Sequence, residues 1–205
     1  MIFCIFIATR KKKTRNMEEN LKISNYGKYK KRLEVYVGEE SASKIIEMLG
    51  GDDAIVNATY ASKEDSGLAY EGSFTKTILT LTGYAISINE MLPEAVRADK
   101  NSIAKVCLLS QIAKVQMFTP NPNDWEKEKR GIIYAFKPLP GALRTGERSI
   151  LIAMNCGVGF TEEEFEAMRI LDKDFDDDNY SKIFSSVLSV VIKQASEIIN
   201  VINRK

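Results

Sequence analysis

The 205-residue chain contains no histidine. Histidine is the commonest metal ligand and the side chain best suited to general-base work near neutral pH. Its absence excludes Ser-His-Asp and Cys-His nucleophile systems, and every histidine-ligated zinc or iron centre. Carboxylate-bound magnesium or calcium stays open. Cysteine is scarce: Cys4, Cys107 and Cys156 are odd in number and widely spaced. They read as free, buried thiols in a reducing compartment, hence a cytoplasmic protein. Charge of one sign is missing too. Lys and Arg total 29 against 28 Asp and Glu, a net charge of +1. No overall field draws the chain to nucleic acid or to an anionic membrane.

Long apolar runs are also absent. The apolar start of 1–15 is too short to span a bilayer. Its basic residues, Arg10 to Lys13 and Arg15, follow the apolar block, whereas a signal peptide puts them before it. Met17 opens a polar stretch. Residues 1–16 therefore read as a disordered or mis-started extension, and 17–205 as a single helical domain. No internal repeat or low-complexity tract divides it.

What is present is mostly helical periodicity. Phe74, Ile78, Leu81, Ala85, Ile88 and Leu92 recur at steps of four and three, predicting a helix over 73–92 that Pro93 ends. Ile103 to Met117 predicts a central helix of the same kind. Helices are also expected over 38–49, stopped by Gly50-Gly51, over 52–60, and over 146–154. Thr161 with Glu164 three residues on predicts a capping box opening a helix to about Leu171. A last helix is expected over 181–201. Glu18 to Tyr36 is charged and reads as helical in its second part. Trp125 to Phe136 reads as a small β-hairpin, or as one strand and an ordered loop, and Asp172 to Asn179 as an acidic loop. The fold class is mainly α: a helical bundle with a hairpin insertion near 125–136.

Four stretches, spanning 67–199, carry a resemblance. Ala69-Tyr70-Glu71-Gly72-Ser73-Phe74-Thr75-Lys76-Thr77 is similar to Tyr/His-Glu-Gly-Gly-Leu-x-x-His-Ser. Leu108-Leu109-Ser110-Gln111-Ile112-Ala113-Lys114 is similar to Leu-Leu-His-Asp-Ile-Gly-Lys. Leu139 to Ser149, after the insertion, resembles a Gly-Glu-Lys/Arg-Ser helix start. Phe160 to Arg169 resembles Leu-Thr-Glu-Glu-Glu-x-x-Ala-Ile-Arg. In this order the landmarks resemble the HD-domain superfamily of metal-dependent phosphohydrolases, particularly its small phage and Bacteroidetes members. The resemblance implies an HD-like bundle. It also implies where metal ligands would fall, and each position departs. The first histidine falls at Lys76, the His-Asp pair at Ser110 and Gln111, a further histidine near Leu171 and the last aspartate near Ser196.

Ser, Gln and Leu supply neither the charge nor the ligand field for a divalent cation that must acidify a bound water. The expectation is a catalytically inactive pseudoenzyme, without metal or cofactor. It would act as a binding or scaffolding module for a protein partner or a nucleotide-like ligand, and as a possible homo-oligomer. Candidate ligand-binding residues around the former active-site cavity are Lys76, Ser110, Gln111, Lys114, Arg144, Glu147, Arg148 and Ser196. Each has a plainer reading: closed-cleft fillers for Ser110 and Gln111, solvated lysines for Lys76 and Lys114, loop anchoring for the Arg144–Arg148 cluster. Two alternatives remain. One is a residual phosphohydrolase with carboxylate ligands such as Glu71, Glu147 and Asp172. The other is a structural component of a phage or mobile-element assembly.

Overall fold

The computed structural model describes the backbone of residues 2–171 and 186–204, with side chains from Met17 onward. The described chain is mainly helical with one two-stranded antiparallel sheet, as the periodicity predicts. In chain order the elements are α1 (Ile2–Val37), α2 (Glu39–Met48), α3 (Asp52–Val56), α4 (Ser73–Met91), α5 (Lys100–Leu109) and α6 (Lys114–Met117). Then come β1 (Phe118–Pro120), α7 (Asp124–Arg130), β2 (Tyr134–Phe136), α8 (Thr145–Asn155), α9 (Glu162–Ile170) and α10 (Val187–Asn203). The acidic stretch Asp172 to Asn179 and the expected start of the last helix at Ser181 lie outside the described residues. Among the described residues no helix is long and apolar enough to cross a membrane.

The core is built around α5. Ile103, Ala104, Val106, Cys107, Leu108 and Leu109 are all buried, because α1, α4, α8, α9 and α10 pack around them. The α4 stripe holds: Phe74, Ile78, Leu81 and Ala85 are buried, and Ile88 and Leu92 pack at the core's edge. Each fully buried large side chain contributes about 1.5–3 kcal/mol by leaving water. Capping side chains start the helices where polar residues precede apolar runs. Asp99 accepts from the Ser102 N–H, Asn123 from Glu126 and Ser186 from Ser189. Thr161 and Glu164 form the expected reciprocal box.

Two expectations need correcting. The helix expected over Ile103–Met117 is not continuous. After Leu109 the bonding shifts from four-residue to three-residue spacing, with Ile112 N–H on the Leu109 carbonyl and Lys114 N–H on the Gln111 carbonyl. After this tight turn the helix resumes as α6. The hairpin is also placed differently. Its first strand is β1, not residues 125–130, and Phe118 pairs with Phe136, Thr119 with Ala135 and Pro120 with Tyr134. Residues 124–130 form α7 instead. Their alternating charges meet at helical spacing, Asp124 with Lys127 and Glu126 with Arg130.

Candidate functional site

A cleft of about 650 Å³ opens between α1, the turn before α4 and β2. Its floor is Lys22. On α1, Glu19 and Lys22 stand one turn apart, and the Lys22 ammonium lies 2.8 Å from the Glu19 carboxylate. It also donates to Asn57 Oδ1 at 3.0 Å and to Glu71 at 3.4 Å. The hydrogen bond it donates to Glu19 is the main reason its pKa sits above the ordinary lysine value, so the ammonium is firmly charged. Gly72 makes this arrangement possible. Its φ is +78°, and a Cβ there would lie 2.4 Å from Lys22 Cγ. Only glycine both adopts this left-handed turn and leaves room for the lysine stem.

The walls carry aromatic and aliphatic surface among their charged groups. Tyr70 is 39% exposed, and the Lys76 ammonium sits 5.7 Å from its ring centroid. Tyr134 closes the far side, its hydroxyl pKa raised chiefly by burial. Leu21 and Ile133 add aliphatic surface.

The eight residues expected around one former cavity do not converge there. Lys76 lines this cleft, pointing outward from α4. Ser110, Gln111 and Ser196 do not line it and are buried elsewhere, among the packed helices. The Ser110 hydroxyl donates to the Cys107 carbonyl at 3.4 Å. Lys114 is half-buried with its ammonium 3.5 Å from the Tyr60 ring centroid, a cation–π contact. Arg148 donates to the carbonyls of Pro140 and Gly141, anchoring the loop before α8. Glu147 accepts from the Arg144 N–H at the helix start. Arg144 itself is exposed.

The metal that the HD-domain resemblance implies fits these residues poorly. Its first-ligand position holds an outward lysine, and its paired position holds a buried serine whose hydroxyl is already bonded. Among the described residues no three His, Cys, Asp or Glu side chains are placed to hold a metal ion. Of the alternative carboxylates, Glu71 bonds Lys22 in the cleft, Glu147 caps α8, and Asp172 lies outside the described residues. These residues do not fit a hydrolytic divalent cation.

Sequence reasoning missed Lys22, Glu19, Asn57 and Tyr134 as site residues. They come from distant parts of the chain, and Lys22 and Glu71 are 49 positions apart. The available signal was the Tyr70-Glu71-Gly72 stretch, which carries the turn, the carboxylate and the ring. Comparison with known proteins adds no relative, for no family model, no curated protein and no solved structure matches the chain.

Proposed function

We propose that this chain is a non-catalytic binding module built on an HD-like helical bundle. The observation that carries the reading is the contrast between Ser110 and Glu71. Ser110, where the resemblance puts the central histidine, is fully buried with its hydroxyl bonded to its own helix. No substrate phosphate reaches such a position without unpacking α5. Glu71, from the same family-like pattern, stands at an open cleft beside Lys76 and Tyr70. The part that would do chemistry is core, and the part that would meet a ligand is exposed.

The test is metal content and turnover of the purified protein. Elemental analysis is expected to find no stoichiometric manganese, iron or magnesium. A panel of nucleotides and phosphomonoesters is expected to release no phosphate above background. Stoichiometric metal with phosphate release would overturn the reading in favour of a residual phosphohydrolase.

A further inference from the structure

We infer that the cleft between α1 and α4 takes an organic cation, a primary amine or guanidinium on an aliphatic stem, rather than a phosphate. This names the ligand class for the binding reading above and rests on it.

The first argument is the Lys22 ammonium. It has three N–H donors, and Glu19, Glu71 and Asn57 supply three acceptors within 3.4 Å. An anion entering the cleft finds this cation already satisfied. The second is the charge of the walls. Among the described side chains that line the cleft, Glu18, Glu19 and Glu71 stand against Lys22 and Lys76. Three negative groups against two positive ones make this described lining net acidic, which opposes a di- or triphosphate. The carboxylates are also available: the side chains of Glu19 and Glu71 are 52% and 61% exposed, and each oxygen accepts more than one hydrogen bond.

The third argument is the Tyr70 ring. An ammonium within about 6 Å of a tyrosine face is attracted to it. The chain's own Lys76 takes that place at 5.7 Å. Lys76 is exposed on α4, so it can swing into solvent and leave the face to an incoming cation. Leu21 and Ile133 offer aliphatic surface to the stem. The cleft's 650 Å³ lies in the range of small-molecule sites.

The experiment is titration calorimetry on the full-length protein with spermidine, agmatine, a short Arg/Lys peptide, ATP and pyrophosphate. Spermidine or agmatine is expected to bind. Binding by the peptide alone also supports the inference and assigns the cation to a partner's side chain. Glu71→Gln removes a charged acceptor and is expected to weaken binding about tenfold. Lys76→Met removes the competing cation and is expected to tighten it severalfold. Glu71 and Lys76 are both exposed, and thermal melts confirm that each variant is folded. Failure of every cation, or cation affinity unmoved by both variants, overturns the inference. ATP binding that Lys76→Met abolishes also overturns it, while leaving the non-catalytic binding reading intact.

Discussion

The hydroxyl of Tyr29, on α1, donates to the carbonyl of Leu108, on α5, at 3.3 Å inside the core. The bond falls where α5 gives up four-residue bonding, since the Ile112 N–H goes to Leu109 and not to Leu108. A side chain 79 positions away thus serves a carbonyl that the tightened turn releases. Tyr29→Phe keeps the ring, which packs edge-on to Phe74 at 5.9 Å, and deletes only the donor. The expected loss is about 1–2 kcal/mol in urea unfolding, the cost of an unpaired buried carbonyl. An unchanged midpoint would mean that Leu108 finds another donor.

Glu164 ties α9 to α5. Its carboxylate receives the Lys105 ammonium at 2.6 Å, the Ser102 hydroxyl at 2.9 Å and the Thr161 N–H at 3.0 Å. The carboxylate is nearly fully buried and Lys105 is about four-fifths buried. Removing one partner of such a pair strands the other, so Glu164→Ala is expected to cost about 3 kcal/mol. The double variant Glu164→Gln with Lys105→Met is expected to lose less than the sum of its single changes. Strict additivity in the double-mutant cycle would show that the two groups do not couple.

Gly67 separates strain from space. Its φ is +66°, and a Cβ would lie 1.9 Å from the carbonyl oxygen of Asn203 at the end of α10. Gly131 has a similar φ of +61°, but the nearest atom to its Cβ is 3.7 Å away. Gly131→Ala is expected to cost about 1 kcal/mol for the left-handed backbone alone. Gly67→Ala adds a collision with backbone and is expected to cost about 2–4 kcal/mol in thermal or urea unfolding. Equal costs would show that α10's last turn moves aside freely.

Asp52 is one of the carboxylates that contribute to acid stability. The Asp52 carboxyl pKa lies below its ordinary 3.8, chiefly because the Tyr26 hydroxyl donates to it, with Lys30 helping. A carboxylate with a depressed folded pKa stabilises fully above its unfolded value, and the effect fades as pH falls through the folded one. Asp52→Asn is therefore expected to melt lower than wild type at neutral pH. The gap should hold down to about pH 4 and close below it. A gap that persists in strong acid would assign the loss to packing.

The architecture was legible wherever local rules decide it. The Phe74-to-Ala85 stripe has one solution as a helix, and the Thr161–Glu164 box forms within a single turn. Residues 103–117 misled because three-residue and four-residue bonding put Ile112 and Val115 on nearly the same side, so apolar spacing does not distinguish them. Residues 125–130 misled because alternating charges suit a strand and also pair at helical spacing. The cleft was half legible. Tyr70, Glu71 and Lys76 are neighbours in the chain, but Lys22 reaches Glu71 only after α1 docks beside α4. Nothing in the Leu108-to-Lys114 spacing marks Ser110 and Gln111 as buried, which they are in the packed fold.

That burial makes restoration of the family-like pair a sharp test. Ser110→His with Gln111→Asp would rebuild the His-Asp sequence in the tight turn that follows α5. Ser110 is fully buried and Gln111 is 4% exposed. A histidine there overfills a packed core, at about 1–3 kcal/mol. An unpaired aspartate beside it adds a desolvation cost of similar size, or takes up a proton to avoid it. The double variant is expected to lose roughly 3–5 kcal/mol in total and to unfold at a lower temperature. Manganese or magnesium binding only the folded form would raise that temperature again by mass action. No such rise is expected, because Lys76 stands outside on the Tyr70 ring and Ser196 offers only a hydroxyl. A metal-dependent recovery would show that further ligands lie closer to hand than this packing allows, and would favour the residual-phosphohydrolase alternative.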